Sequence, residues 1–202
     1  MELLTILLGV GARFRSPAQL ASRCAAGLAA LYMALATGMA AGAENESLEY
    51  TVKAAYLSKF GLYVKWPNEA FSSPSSSLNL CVAGEDPFGA ALDKAVADQR
   101  IGNRAITVRR LKSAGRESGC HILYVGGSDA PRAGQVIDAV RGGSVLTVGD
   151  SRGAAVAGAI INFVIKDNHV RFNIDEEAAA QNGLAISSRL LNLALNVKRR
   201  QS

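Results

Sequence analysis

The chain has 202 residues, of which 49% are hydrophobic and 19% charged, with a formal net charge of +5. That length holds one domain of ordinary size, and the composition excludes a disordered chain, which would be poorer in apolar residues and richer in net charge. Arg13, Arg15 and Arg23 against Glu2 carry part of the excess in the first 43 residues, leaving +3 on the rest. A balance so mild and so spread out argues against a nucleic-acid partner, which needs clustered Lys and Arg.

Residues 25–40, AAGLAALYMALATGMA, form an uncharged apolar run preceded by basic residues. Ala41-Gly42-Ala43 follows as a small-residue cleavage site before Glu44. This is the pattern of a cleavable secretory signal over 1–43, so 44–202 is expected to be a single exported domain. The alternative, an uncleaved anchor, is disfavoured because a spanning helix needs about 20 apolar residues. Beyond the signal stand two cysteines, Cys81 and Cys120. In an oxidising compartment they are expected to form one disulfide. Closing a loop of that size stabilises the fold by about 4 kcal/mol on the chain-entropy model. Two reduced, buried thiols are the alternative.

In chain order, Leu48 to Trp66 predicts a helix, with Tyr50, Ala54, Leu57, Gly61 and Val64 on one stripe and Pro67 ending it. The serine-rich stretch 72–77 is a loop. Leu78–Ala83 predicts a strand. Asp86 and Pro87 suit the cap and first turn of a helix over Phe88–Asp98. Ala105–Leu111 and Cys120–Val125 predict two more strands around a turn and a loop. Ser128 or Asp129 caps and Pro131 opens a helix to Val140, and Ser144–Val148 is a fourth strand. The alternation implies a parallel sheet with helices on both faces. Ala159–Ile165 and Val170–Ile174, separated by a short polar gap, predict an antiparallel hairpin. Asp175 to Val197 predicts a final helical region broken near Asn182-Gly183, with Lys198-Arg199-Arg200 at its basic end. The expected fold is α/β: a three-layer sandwich with a mostly parallel sheet flanked by helices and a C-terminal antiparallel hairpin and helix.

Chemistry-bearing patterns are sparse. His121 falls in a strand and His169 in a hairpin turn, too far from other ligands to suggest a metal site. Ser187-Ser188 lies in the predicted helix, not at a nucleophile elbow. No phosphate-cradling glycine motif occurs. No cofactor is expected, and the chain does not read as an enzyme. Ligands of open α/β sheets gather at the carboxyl ends of the strands, which makes Asp150, Ser151 and Arg152 the candidate ligand pocket. The candidate protein-binding residues are Tyr56, Phe60, Tyr63 and Trp66 on the first helix, with Phe163 and Arg171 on the hairpin; aromatic residues at helical spacing more often build a core.

Three stretches in this order resemble the YfiR family: Lys53-Ala54-Ala55-Tyr56-Leu57-Ser58-Lys59-Phe60 with Lys65-Trp66-Pro67; Gly158–Phe163 ahead of Val170–Ile174; and Ile186–Ala194. The resemblance covers about Leu48 to Val197. It implies a periplasmic protein that binds and represses an inner-membrane receptor, a diguanylate cyclase of the YfiN type, in cyclic di-GMP signalling. It implies a second partner, an OmpA-like outer-membrane lipoprotein that sequesters the repressor, and leaves room for a homodimer. Many members lie beside sensor kinases, so a receptor of that class is the other expectation, as is a small-ligand-binding accessory protein of a sensor kinase or transporter. The family's namesake has a second disulfide near the fourth strand. Ser144–Gly149 here has no cysteine, so redox control through that bond is absent or different.

Overall fold

A computed structural model describes residues 46–127, 129–150 and 155–200. The predicted signal segment 1–43, and Ser128, Ser151 and Arg152, lie outside the described residues. Helix α1 runs over 46–60. Its inward stripe of Ala54, Leu57 and Phe60 is at most 1% exposed, which is the burial expected of an amphipathic helix on a sheet. The predicted continuation to Trp66 does not form. Residues Gly61–Tyr63 tighten into a 3-10 turn, and β1 (Val64–Lys65) pairs antiparallel with β9 (Ala185–Ile186). Gly61 sits so close to Ile101 that an added Cβ would lie 3.1 Å from it.

β2 (Leu78–Ala83) starts the main sheet. Asp86 does cap, but it caps the turn ahead of the helix: its Oδ1 accepts from the Phe88 and Gly89 amides at 2.8 and 3.3 Å. Gly89, at φ +50°, then turns the chain into α2 (Ala90–Val96). The helix is therefore shorter than predicted at both ends. β3 (Arg100–Ile101) and β4 (Arg104–Leu111) form a small hairpin, and β5 spans Ile122–Gly126. Asp129 caps α3 (Ala130–Ala139), as expected, by accepting from the Arg132 amide at 3.0 Å, with Pro131 in the first turn. β6 (Leu146–Asp150), β7 (Ile161–Lys166) and β8 (His169–Asp175) follow. Asp167 and Asn168 take φ +50° and +58°, the geometry that suits the right-handed twist of a two-residue hairpin.

The last stretch departs most from expectation. It comprises α4 (Glu176–Gln181), β9, α5 (Ser188–Leu191) and β10 (Asn196–Lys198) in place of one broken helix. Asn182 and Gly183 (φ +67°) end α4. The buried Asn182 side chain donates to Val145 O at 2.7 Å and accepts from the Gly142 amide at 2.9 Å, tying that end to the entry of β6. Ser187 is an N-cap and not a helix-interior residue. Lys198 and Arg199 do not decorate a helix C-terminus: they pair with Asp175, Glu177 and Glu176 in the acidic first turn of α4.

The sheet has eight strands among the described residues, in the order β10-β8-β7-β6-β5-β2-β4-β3. The five from β4 to β7 are parallel, and β8 returns antiparallel against β7. Side chains alternate across it. Leu78, Leu80 and Val82 join α1 and α2 in one core, and Cys81 and Ala83 join Ala133 and Ile137 of α3, with Val140 at its C-cap, in the other. The sandwich is thus three-layered, with a mostly parallel sheet, flanking helices and a C-terminal antiparallel hairpin.

Candidate functional site at the carboxyl ends of the parallel strands

Asp150 is the last residue of β6 and pairs in register with Gly126, the last of β5. Two residues back on β5, Tyr124 points to the α1 side and its hydroxyl donates to Asp150 Oδ2 at 2.7 Å. Gly126 makes this possible. A Cβ there would lie 2.5 Å from the Tyr124 Oη, so a side chain on the same face would displace the ring. From above, Lys53 of α1 donates to both Asp150 oxygens, at 2.9 and 2.8 Å, and also to Glu49 one turn earlier. Lys53 is 3% exposed and Asp150 7%. A buried ammonium persists only when paired and hydrogen-bonded, and here it meets two carboxylates and the face of Tyr50, whose ring centre is 4.7 Å away.

Burial acts to lower the Lys53 pKa, but the hydrogen bonds to Asp150 and Glu49 outweigh it, and the ammonium titrates above its ordinary value. Burial, reinforced by the Asp150 carboxylate, pushes the Tyr124 hydroxyl well above the usual tyrosine range. Lys53 stays charged and Tyr124 stays a donor. The trio holds α1 to the strand ends. Among the described residues, every buried side-chain nitrogen and oxygen has a partner, and no group of three His, Cys, Asp or Glu residues is placed to hold a metal.

The trio connects to the surface through aromatic rings. Phe88 packs edge-on against Tyr124 at 4.6 Å between centroids, and Tyr50 against Phe88 at 5.6 Å. Tyr50 and Phe88, with Glu46, Thr51 and Pro87, line an open cleft of about 250 Å³ between the start of α1 and the approach to α2.

The sequence-based candidates meet different fates. Asp150 lies at the strand ends as expected, but its carboxylate faces inward to Lys53 and Tyr124. The aromatic patch does not form an exposed surface. Phe60 is 1% exposed and Phe163 3%. Trp66 is 9% exposed, with its indole N–H donating to Ser144 O at 3.1 Å. Tyr56 and Tyr63 are half-buried, and Tyr56 stands against Phe60, Phe163 and Phe172. The cause is the register of α1, which turns this face onto β7 and β8. Arg171 is exposed on β8. Cys81 and Cys120 are bonded, with 5.8 Å between Cα atoms. The bridge ties β2 to the residue pair ahead of β5 on the α3 side of the sheet.

His121 is structural. Its Nδ1 accepts from the Asn79 amide at 2.9 Å and its Nε2 bonds Ala70 O at 3.0 Å. Its ring stacks on Phe71 at 4.3 Å, and the Arg104 guanidinium lies 3.7 Å from the Phe71 ring centre. Burial lowers its pKa.

Lys53, Tyr124 and Glu49 escape sequence reasoning as site residues. The available signal was a lysine set among the apolar positions of a helix, between Tyr50 and Leu57, and a tyrosine inside the apolar strand CHILYV.

No described helix is long and apolar enough to cross a membrane. No curated protein matches the chain. A family model described as YfiR/HmsC-like matches residues 50–195, which takes in α1 from its second turn, the whole parallel sheet and the C-terminal hairpin with its two short helices. The chain belongs to the YfiR/HmsC-like family.

Proposed function

We propose that this protein is a periplasmic regulator that binds a membrane-bound receptor, a diguanylate cyclase, and holds it inactive. Membership of the YfiR/HmsC-like family over 50–195 carries the reading. The Cys81–Cys120 disulfide supports it, because such bonds persist in oxidising compartments. The interior supports it too: the buried charges neutralise one another and brace α1 against the sheet. A regulator acts by presenting a shaped surface whose docking free energy favours one state of its receptor.

The test is the cyclic di-GMP level in the source cells after deletion of the gene and after its restoration. The level is expected to rise on deletion and fall on restoration. An unchanged level removes the cyclase and leaves a sensor kinase as the receptor class. Folded Cys81→Ser protein that represses fully would show that the disulfide does not shape the docking surface.

The cleft between α1 and α2 favours a second reading, an accessory protein that presents a small ligand to a sensor kinase or transporter. A ligand at a hundred times its dissociation constant would stabilise the folded chain by about 2.7 kcal/mol. A thermal-shift screen in which no compound raises the midpoint would count against it.

A further inference from the structure

Five of the six residues 72–77 are serine and the sixth is Pro74. The receptor reading makes no use of them. The stretch joins the 3-10 turn Asn68–Ala70 to β2, so it lies at the amino ends of the parallel strands, away from Gly126 and Asp150. It is a formed turn and not a slack linker. The Ser76 amide donates to Ser73 O at 3.3 Å, with Pro74 in the second position, where its fixed φ suits a β-turn. Arg104, the first residue of β4, fastens this turn to the body of the protein. Its Nη1 donates to Ser73 O, Ser76 O and Ser76 Oγ at 2.8, 2.7 and 3.0 Å, while its guanidinium rests on the Phe71 ring. The serine hydroxyls divide accordingly. Ser76 Oγ is engaged, donating to Ser73 O at 2.9 Å and accepting from Arg104. Ser73 and Ser75 are exposed, with their Oγ atoms 3.4 Å apart at the tip.

We infer that Ser75, with Ser73 beside it, is an acceptor for O-linked glycosylation after export. Serine and proline together in an exposed run are the composition of O-glycosylated segments. A glycan is bulky and hydrophilic and needs a surface position; residues 72–75 are all exposed. The turn adds what composition alone lacks: two hydroxyls held outward on a fixed backbone, which an enzyme reaches without unfolding the chain.

The class of sugar donor rests on the periplasmic reading above. Outside the cytoplasm no nucleoside triphosphate serves a kinase, whereas sugars are carried across the membrane on lipid diphosphates. The Ser75 Oγ attacks the anomeric carbon of such a sugar. The bond from that carbon to the diphosphate oxygen breaks, the lipid diphosphate leaves with the electron pair, and the hydroxyl proton passes to a base of the transferase. A fatty acyl group suits the turn less well, because no large exposed apolar side chain falls between Pro67 and Leu111 to shelter it. The glycan projects from the amino ends of the strands and leaves the Lys53–Asp150 end uncovered.

The test is intact-protein mass spectrometry of the full chain made by the source cells and recovered from their periplasm. The mass is expected to exceed that of the signal-cleaved sequence by a whole number of sugar residues. Base-promoted elimination should release the sugar and leave dehydroalanine at Ser75 or Ser73. The double variant Ser73→Ala, Ser75→Ala should lose the whole increment, whereas Ser76→Ala should keep it. Thermal melting of the double variant should match that of the unglycosylated wild type, since both side chains are exposed. Periplasmic protein at its bare sequence mass overturns the inference and leaves the regulatory reading standing. A chain found only in the cytoplasm refutes the export on which both rest. An increment of phosphate or fatty-acyl mass, or a sugar that remains on the folded double variant, overturns the inference equally.

Discussion

The two faces of the sheet are held by different means. Under α1 and α2 the core is large and aromatic: Phe60, Phe163, Phe172, Tyr124 and Phe88 pack around Leu57, Leu80 and Leu146, with the Lys53–Asp150 pair at one edge. Under α3 the core holds no aromatic ring and is mostly small side chains, Ala83, Ala114, Ala133, Ala159 and several valines, with Leu123 and Ile137 the largest. Buried apolar area stabilises in proportion to its extent, so the α3 face contributes less per residue. The disulfide lies on that face. Where the core is thin, a covalent link restricts the unfolded chain; where it is thick, the fold tolerates a buried charge pair that a thin core could not screen from water.

The contrast can be broken first at the ion pair. Asp150→Ala leaves the Lys53 ammonium buried with Glu49 alone, and urea unfolding should show a loss of about 3–5 kcal/mol. Adding Lys53→Met should recover most of it, because a matched apolar pair needs no charge partner. On the same face, Phe172→Ala should cost about 3–5 kcal/mol through the cavity it opens. Val140→Ala on the α3 face should cost less, about 1–3 kcal/mol, since fewer buried atoms are removed. Equal losses at Phe172 and Val140 would remove the distinction between the faces.

Removing the link with Cys81→Ser and Cys120→Ser should destabilise by about 2–4 kcal/mol. Reductant should lower the melting temperature of the wild type and leave that variant unchanged. A smaller effect is expected from pH. His121 is held neutral in the fold because burial lowers its pKa from 6.5, and its Nδ1 must accept the Asn79 amide. Below pH 6.5 the unfolded chain binds a proton that the folded chain excludes, so stability falls as pH drops toward the lowered value. The urea midpoint should therefore decline between pH 7.5 and 5.5 (about one unit either side of that value) more steeply in the wild type than in His121→Gln. Least of all, Lys198→Ala should leave the midpoint unchanged, because an exposed ion pair contributes little.

How much was legible in the sequence follows the same division between local and long-range causes. The parallel strands, the hairpin and the Asp129 cap of α3 are written in neighbouring residues, and they stand where expected with boundaries shifted by a residue or two. The stretch after Asp175 is not, because its two-residue and three-residue strands exist only by pairing with β1 and β8. Residues such as Ala185-Ile186 and Asn196–Lys198 carry no periodicity over so few positions, and leucines at 184, 190, 191 and 193 imitate a helix. The same holds for the end of α1, where Val64-Lys65 leaves the helix to meet β9. In the candidate site, Asp150 was legible as a strand-end carboxylate. Its partner Lys53 was not, because the two are 97 positions apart and nothing local marks a lysine as inward-facing. The aromatic residues proposed for docking were legible as a stripe, but a stripe does not say which side of a helix meets the sheet.

The reading of this chain as a receptor-binding regulator is tested most directly by capturing its partner. The secreted, oxidised protein would be immobilised and exposed to membranes solubilised from the source cells, and the retained proteins identified by mass spectrometry. A transmembrane protein carrying a diguanylate cyclase domain is the expected result, retained less well by Cys81→Ser protein. Folded protein that retains no membrane protein would contradict a receptor-binding role and direct attention to the cleft between α1 and α2.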